Sequence, residues 1–528
     1  MEEFSMANVA FPAFGEEKYF ENRENDRSTV VMIPHADPDA FSRYDDLLKE
    51  GGYALQECSQ TDTHRYAAYS NGSDAVFVNY FSALRELYLV TEQNSPYFTY
   101  SDQPLKTSAT PQITQMELAD FGMGYVIRLS DGRFIIIDGG RDFATDRERL
   151  YEHLCKTSVH EKPIIAAWIL SHPHPDHFHL FVGFVDQYAA DVVIEKMLFL
   201  FPNADDLVHY PLLERSDKRF DYDNSGCTYI SKLLNRIKRL GLPIYYPHTG
   251  QAYRIGDARC EILASMDDTI HLSKNINASS LVIRMELCGQ VILWATDASF
   301  SDAKLPEKFG GYLKSDILQV PHHGLQCGTA EAMMRGYDFI RPKVCLLPIS
   351  EYNAYTAFSA HKESTKYLMT RVDSIEEFII GTPQRTITLP YSAPCNARAE
   401  HESRYKKGQS RCGANTWVFT ELNTARESDF IFTLINMTHQ AADVTIELYF
   451  DDSWRMVRSI KATAAPLVVK KLNIVGEEVN GDFEYFDWLS LKKRGVPENA
   501  DFAVRFLSDV PIVVSHPDHT PAYTAKDN

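Results

Sequence analysis

Apolar runs of strand length and one helical pattern characterise the first hundred residues. STVVMI, DAVFVNYF and LRELYLVTE predict strands, and the spacing of apolar residues in DAFSRYDDLLKEGG predicts a helix. The stretch SPYFTYSDQPLKTSATPQ, which follows, is rich in turn-forming residues and typical of a linker. Residues 1–105 are therefore predicted to form a small α+β module.

Strand and helix patterns alternate in the middle of the chain. GYVIRLS and RFIIIDGG flank a DG turn and predict a hairpin, DRERLYEHLCKT predicts a helix, and IIAAWIL predicts a buried strand. SLVIRMELCGQVILWATDAS and SDILQVPHHG add further strands. Strand pairs interrupted by helices favour two packed sheets with helices outside, an αββα sandwich over residues 106–395.

Short strands at regular intervals dominate the last part of the chain. TWVFTEL, DFIFTLINMT, ADVTIELYFDD and DFAVRFLS, with turn residues between them, predict a β-sandwich over residues 412–528. RYKKGQSR, just before it, is predicted to be a polar linker, and the basic stretch SKLLNRIKRL is predicted to be a helix. The predicted fold class is α/β (α+β), with the αββα sandwich between the two smaller domains.

Composition and charge narrow the range of partners. The formal charge of −19 over 528 residues would repel a polyanion, so a nucleic-acid partner is not expected. The sequence shows no apolar stretch of the ~20 residues that span a bilayer and no basic, apolar signal peptide, so no membrane partner is expected. Nine scattered cysteines without a CxxC pair are typical of reduced thiols, and we expect a cytoplasmic protein.

The highest density of potential metal ligands is in SHPHPDHFH, residues 171–179, directly after the predicted buried strand IIAAWIL. On an extended strand end, His172 and His174 would point the same way and could reach one metal. Asp176 and His177 follow Pro175 in the turn and could face a second metal. Nitrogen and carboxylate ligands suit zinc, and manganese and iron also accept them. The alternative interpretation is a histidine-rich surface loop.

Two later strands end in side chains of the same kind. Asp297 ends VILWATD, and His322 and His323 follow DILQV. Three sets of ligands at the ends of three strands can converge on one sheet edge, which favours a metal centre over a surface loop.

The order of these motifs resembles the metallo-β-lactamase fold. The similarity covers about residues 115–390 and is greatest to the domain of DNA-internalisation competence proteins and of phosphorylcholine esterases. It implies two divalent metal ions, zinc first, and Asp138 bracing the ligand loop. The implied metal ligands are His172, His174, Asp176, His177, Asp297 as the bridge, and His322. The implied catalytic residues are Asp176, His323, which would act on the substrate or leaving group, and His361.

The sequence departs from this family pattern in three places. Many relatives have a further histidine before the bridging aspartate, whereas CEILASMDD has none, and His209, His248 and His271 are only loosely placed. The usual TGD is ATD at residues 295–297, and Leu325 replaces the usual serine after HHG. The sequence therefore does not determine the third ligand of the first metal, and it does not determine the substrate.

The resulting functional prediction is a hydrolase that uses hydroxide formed on a dinuclear metal centre, acting on a small-molecule phosphodiester or phosphate ester. One alternative is a hydrolase of a carboxyl ester, lactone or thioester. The other is a non-catalytic, metal-binding regulatory or sensory protein.

The strand order and the SDVPIVV ending of the last domain are similar to the sensory rhodopsin transducer family. This resemblance implies a β-sandwich that forms a homo-oligomer or binds a partner. The alternative is a sandwich that only stabilises the enzyme.

Overall fold

The computed structural model forms two compact units, one of residues 1–351 and 362–401 and one of residues 352–361 and 402–528. The residues that it describes are 3–6, 9–12, 18–20, 28–93, 100–202, 227–269, 276–350, 354–355, 362–381, 384–411, 414–436, 441–450, 458–464, 468–473 and 499–525.

The first unit begins with a six-stranded antiparallel sheet, in the order β3-β4-β8-β7-β6-β5, and the separate hairpin β1–β2. Helix α1 buries Phe41, Tyr44 and Leu48 in the core that this sheet shares. This arrangement confirms the predicted helix and the α+β character. The elements are β1 (Glu3–Met6), β2 (Val9–Pro12), β3 (Lys18–Phe20), β4 (Ser28–Ile33), α1 (Ala40–Glu50), β5 (Ala54–Gln60), β6 (His64–Ser70), β7 (Ala75–Phe81) and β8 (Glu86–Glu92).

Two eight-stranded sheets form the rest of the first unit. One has the order β16-β15-β13-β12-β11-β10-β24, with β14 beside β13, and the other has the order β23-β22-β21-β20-β19-β18-β17-β9. The first sheet is built from β10 (Gln112–Gln115), β11 (Gly124–Arg128), β12 (Phe134–Asp138), β13 (Ile164–Ile169), β14 (Val193–Ile194), β15 (Met197–Leu198), β16 (Ile244–Tyr245) and β24 (Arg385–Thr388). The second is built from β9 (Tyr100–Ser101), β17 (Ala252–Ile255), β18 (Ala258–Ala264), β19 (Val282–Leu287), β20 (Gln290–Trp294), β21 (Ile317–Gln319), β22 (Val344–Leu347) and β23 (Glu377–Ile380).

One apolar core joins the two large sheets, and helices cover their outer faces. Ile137 and Ile169 of the first sheet lie in the same buried cluster as Ile283 and Trp294 of the second. A separate cluster packs α2, α3 and α4 on the first sheet. The helices are α2 (Ala144–Thr157), α3 (Pro175–Tyr188), α4 (Cys227–Leu240), α5 (Leu305–Phe309), α6 (Ala330–Ile340), α7 (Glu363–Arg371) and α8 (Ala397–Arg411). The predicted αββα sandwich is thereby confirmed.

Two connecting stretches differ from prediction. RYKKGQSR belongs to α8, so the prediction of a linker is wrong. The sequence of this helix is rich in residues that favour helix formation. His401 anchors the helix by stacking on Phe378, with 4.2 Å between the ring centroids. In the predicted linker after the first module, β9 pairs with β17 at the edge of the second large sheet.

In the described residues of the second unit, the regular structure is mainly strand, with the end of α8 and a short 3-10 helix at Glu427–Phe430. Strand β30 pairs with β25 and β27 along its first part, and its last three residues pair with β26. Its strands are β25 (Ala414–Asn423), β26 (Ile431–Asn436), β27 (Ala442–Phe450), β28 (Arg458–Ala464), β29 (Val468–Asn473), β30 (Asp501–Ser515) and β31 (Tyr523–Ala525). In the described part of the chain, no helix is long and apolar enough to cross a membrane.

Candidate metal centre

The predicted ligands follow strands that end at the same edges of the two large sheets. β12 and β13 run parallel in one sheet, and β20 and β21 run parallel in the other. The residues after their C-terminal ends therefore lie beside one another, which is where open α/β sheets commonly bind ligands. The sequence pattern predicts that the candidate ligands converge. The packing of the two sheets is what brings those on different sheets together.

The turn after β13 is not the extended strand end that the sequence predicted. The His174 N–H donates to the His172 carbonyl at 3.0 Å, which bends the chain between them. Helix α3 then begins at Pro175, because proline lacks an N–H and suits the first helical position. Asp176 and His177 consequently lie on the first turn of a helix rather than in a loop.

Two overlapping groups of side chains have the spacing of metal ligands. The ligand atoms of His172, His177 and Asp297 lie within 4.8 Å of one another, and so do those of Asp176, His177 and His323. His177 belongs to both groups, with its Nε2 3.1 Å from Asp297 Oδ2 and 3.3 Å from His323 Nε2.

The two adjacent histidines after β21 are arranged differently from the expected assignment. His323 is fully buried, and its Nε2 lies 3.4 Å from Asp176 Oδ2. His322, expected to complete the second site, lies 3.8 Å from Asp297 Oδ2, and its Nε2 is 3.0 Å from the Asn277 amide nitrogen. Both residues have left-handed backbone, with φ of 49° and 54°, and this local conformation separates the two rings.

The remaining predicted site residues are placed as follows. His174 is buried, and its ring centroid lies 4.6 Å from that of His172 in an edge-on contact. It is therefore a neighbour of the first group. His361 lies outside the described residues, as do His209 and His271.

Asp138 holds the ligand turn in place, as the resemblance implies. Its carboxylate accepts hydrogen bonds from the Ser171 N–H at 2.7 Å, the Ser171 hydroxyl at 2.8 Å and the His177 Nδ1 at 2.8 Å. Because Nδ1 donates its proton to this carboxylate, Nε2 of a neutral His177 is left as the metal-facing acceptor. The bracing role of Asp138 is thus confirmed by its contacts.

Backbone conformation at the sheet edge is unusual. Asp138, Thr296, His322 and His323 all have positive φ, which is uncommon for residues other than glycine. Thr296 stands where the family motif has glycine, and its hydroxyl donates to the Leu281 carbonyl at 2.6 Å. This hydrogen bond helps to hold a conformation that glycine would adopt without strain.

The electrostatics of the cluster favour a cation. Burial lowers the pKa of His172 well below 6.5, so its imidazole is neutral. Burial also opposes charge on His177, but the carboxylates of Asp297 and Asp138 raise its pKa well above 6.5. The pKa of Asp297, which burial alone would raise, is held well below 3.8 by the nearby histidines. The two carboxylates thus create a negative potential at His177, which a bound metal cation would satisfy in place of a proton.

Buried atoms without hydrogen-bond partners test whether a metal fits. In the described part of the chain, the His172 Nε2 and Asp297 Oδ1 are buried and accept or donate no hydrogen bond. A buried polar atom left in this state is costly unless another group, such as a cation, satisfies it. Both atoms belong to residues of the first group, so the donor set fits a divalent metal.

Other histidines singled out by the sequence are engaged elsewhere. His179 stacks on Tyr229 with ring centroids 3.7 Å apart, and His248 pairs with Asp267 at 2.6 Å. Sequence reasoning missed Ser171 and Asn277 as neighbours of the site. Ser171 directly precedes the histidine motif and could have been suspected, whereas nothing in the pattern around Asn277 indicates its contact with His322.

Comparison with known protein families finds a match to part of the first unit. Residues 119–251 match the family model of the metallo-beta-lactamase superfamily. This part of the chain is therefore similar to that superfamily, and the histidine and aspartate groups of the site could hold a metal ion. No curated protein is significantly similar to the chain.

Three solved structures share a limited similarity with parts of the chain. The Anabaena sensory rhodopsin transducer is 22% identical over 20% of this chain and 95% of its own, with a TM-score of 0.15. Thermotoga maritima 1070 is 17% identical over 22% of this chain and 98% of its own, with a TM-score of 0.15. A beta-lactamase domain protein from Burkholderia ambifaria is 14% identical over 37% of this chain and 55% of its own, with a TM-score of 0.23.

Proposed function

We propose that this chain is a hydrolase that cleaves a phosphodiester or phosphate ester at a pair of divalent cations, zinc first among them. The observation that carries the proposal is the overlap of two ligand groups at His177. A structural zinc site needs one closed set of four ligands, whereas two adjacent groups match the spacing of a dinuclear centre.

The side chains divide naturally between two metal positions. His172 and Asp297 would hold one ion, Asp176 and His323 would hold the other, and His177 lies between them. When bound, such a pair supplies an activated water and stabilises the charge that develops on the ester. This assignment gives His323, rather than His322, a place among the ligands.

Charge balance favours an anionic substrate over a neutral one. In the described part of the chain, Asp176 and Asp297 form ion pairs with histidines only. Two divalent ions would therefore carry more positive charge than the two carboxylates neutralise. The excess attracts a phosphate ester more strongly than an uncharged carboxyl ester or lactone.

The chain's own groups orient the reaction. Asp138 and Ser171 fix the tautomer and the ring of His177, which keeps the ligand turn rigid. His322 keeps 18% of its side chain exposed and is held by Asn277, so it is placed to contact the substrate or leaving group. This is the role that the family resemblance gives to His323.

The test combines metal content with hydrolysis of bis-p-nitrophenyl phosphate. We expect two metals per chain in the wild type, and loss of one metal with at least a hundredfold loss of kcat in Asp297→Asn, because the central carboxylate is removed. Asp302→Asn, a change of the same kind a few residues along the same segment, should keep both metals and the activity.

Each alternative has its own outcome. Two metals without phosphodiester hydrolysis, but with hydrolysis of a carboxyl ester, lactone or thioester, would replace the proposed substrate class. A single, tightly held metal with no hydrolysis would favour the regulatory or sensory protein. Self-association through the C-terminal β-sandwich is a separate proposal, and the molar mass in solution tests it.

A further inference from the structure

The loop between β18 and β19, residues 265–281, contacts the metal centre at its C-terminal end. Its described parts are residues 265–269 and 276–281. The Leu281 N–H donates to the carbonyl of Ser171, which directly precedes the histidine motif, at 3.2 Å. The Asn277 amide nitrogen lies 3.0 Å from Nε2 of His322, the partly exposed histidine of the site. The conformation of residues 276–281 therefore fixes the orientation of the His322 ring.

A hydrogen bond joins the two described parts of this loop. The Thr269 hydroxyl, which is fully buried, donates to the Ala278 carbonyl at 2.7 Å. The 3-10 helix Met266–Asp268, directly before Thr269, begins with a capping box at Ser265, which holds its backbone in a defined position. Thr269 thus connects this short helix to the segment that contacts His322.

The short helix is held against the N-terminal module by a buried ion pair. Lys308 of α5, 2% exposed, pairs with the Asp268 carboxylate, and its Nζ donates to the hydroxyl of Tyr88 in β8 at 3.3 Å. The Thr249 hydroxyl donates to the same carboxylate. Because hydrogen bonds to a charged group are strong in a low-dielectric interior, Asp268 is fixed at the contact with β8.

A second contact of the N-terminal module fixes the segment that carries Thr249. The Gln251 amide donates to the carboxylate of Glu92 in β8, which is 1% exposed. The amide oxygen of Gln251 in turn accepts the His248 N–H at 2.6 Å. Thr249 lies between His248 and Gln251 in the sequence, so its hydroxyl is held where it reaches Asp268.

We propose that the N-terminal module positions the substrate-facing side of the metal centre, and that Thr269 is the positioning residue through which it acts on His322. Tyr88 and Glu92 lie four positions apart on β8, so both point to the same face of the sheet, and both contacts lead to the base of one loop. A loop that is fixed in advance loses less entropy when a substrate binds against it. The inference rests on the proposed function, which places His322 at the substrate, and it gives the N-terminal module a part in that function.

A double-mutant cycle on the zinc-loaded full chain tests the inference. Thr269→Val, which keeps the shape of the side chain, should lower kcat/KM for bis-p-nitrophenyl phosphate about three- to tenfold, the kinetic equivalent of one net hydrogen bond, with both metals retained. In the His322→Ala background, the same change should alter kcat/KM less than about twofold, because the side chain that Thr269 positions is absent. Tyr88→Phe, which removes only the hydroxyl beside Lys308, should show a smaller loss with the same dependence on His322.

The matched control is Thr114→Val, which also removes a buried threonine hydroxyl. That hydroxyl is hydrogen-bonded to Thr386 at 2.8 Å, between β10 and β24. The control should leave kcat/KM unchanged with and without His322. The same variants are titrated calorimetrically with methylphosphonate, a readout that needs no turnover.

A merely structural role for Thr269 predicts equal losses of kcat/KM with and without His322, and that result would overturn the inference. Loss of a metal in Thr269→Val, or a Tyr88→Phe variant that behaves like the wild type, would also overturn it. If the wild type hydrolyses no ester, the proposed function fails and the calorimetric cycle decides. A loss of methylphosphonate affinity in Thr269→Val that disappears without His322 would then leave the inference standing, and any other result would end it.

Discussion

At the scale of single residues, the candidate ligands are positioned by side chains that belong to neither ligand group. Asp138 accepts three hydrogen bonds, two from Ser171 and one from His177, and its own backbone has a φ of 57°. Its position at the end of β12 explains why the early IIIDGG motif and the histidine motif belong together, although Asp138 and Ser171 lie 33 positions apart in the sequence. The carboxylate sets the tautomer of His177, the residue common to both groups.

Asp138→Asn is expected to weaken metal binding by about ten- to a hundredfold, the usual effect of removing a partner of a metal-ligating histidine. Asparagine tolerates the left-handed backbone, so the fold should survive. Competition for zinc with a chromophoric chelator measures the affinity, and circular dichroism checks folding. An unchanged zinc affinity would mean that Asp138 does not hold His177 in its binding tautomer.

At the scale of elements, the site is a set of tight turns between regular structures. The turn after β13 leads directly into α3, and the loop between β10 and β11 lies against it through the Met123–Asp176 hydrogen bond. Two elements from distant parts of the sequence thus determine the position of Asp176. The glycine at position 122 is what allows their contact.

Gly122→Ala is expected to destabilise the fold by about 1–3 kcal/mol, because the new Cβ meets backbone atoms that cannot rotate away. Gly311→Ala is the control, since a Cβ there has no atom within 4 Å. Urea unfolding of both variants measures the difference in free energy. Equal stability of the two variants would contradict the close approach of the loop to Asp176.

At the scale of the whole molecule, the N-terminal module docks on the sandwich through buried charge. Lys308, 2% exposed, pairs with the Asp268 carboxylate, and its Nζ lies 4.7 Å from the ring centroid of Tyr88 in β8. The Asp268 carboxylate also accepts hydrogen bonds from Thr249 and from the Ser265 N–H. The charge of Lys308 is therefore balanced inside the first unit, at the contact between β8 and α5.

Lys308→Met is expected to lower the free energy of unfolding by about 3 kcal/mol, because it leaves Asp268 buried without its positive partner. Lys304→Met removes the more exposed pair with Glu86, 3.1 Å apart, and should cost less than about 1 kcal/mol. Chemical denaturation of the two variants compares these values. Similar losses in both would show that the buried charge of Lys308 is not what stabilises the docking.

The sequence by itself determined the order of elements and the identity of the cluster. Strand-length apolar runs, the DG hairpin and helical spacing depend on local periodicity, and the predicted αββα architecture follows from them. The dense histidine motif, with Asp297 and the paired histidines at later strand ends, indicated the candidate metal ligands as a set, and the structure brings five of these residues into two overlapping groups. Local composition did not predict the helix at RYKKGQSR, because a polar helix and a polar linker have similar compositions and differ mainly in the contacts that anchor them. Here the anchoring contact is the stacking of His401 on Phe378.

Tertiary structure alone decided which atoms meet. SHPDH in the last domain repeats half of the histidine motif, yet His516 uses its Nδ1 to accept the N–H groups of Asp518 and His519, and these residues join neither ligand group. Among neighbouring histidines, the left-handed backbone brings His323 to Asp176 and leaves His322 with Asn277. Such choices depend on φ angles and on strands that are distant in sequence, because a metal centre is defined by distances of a few ångströms that no local pattern encodes.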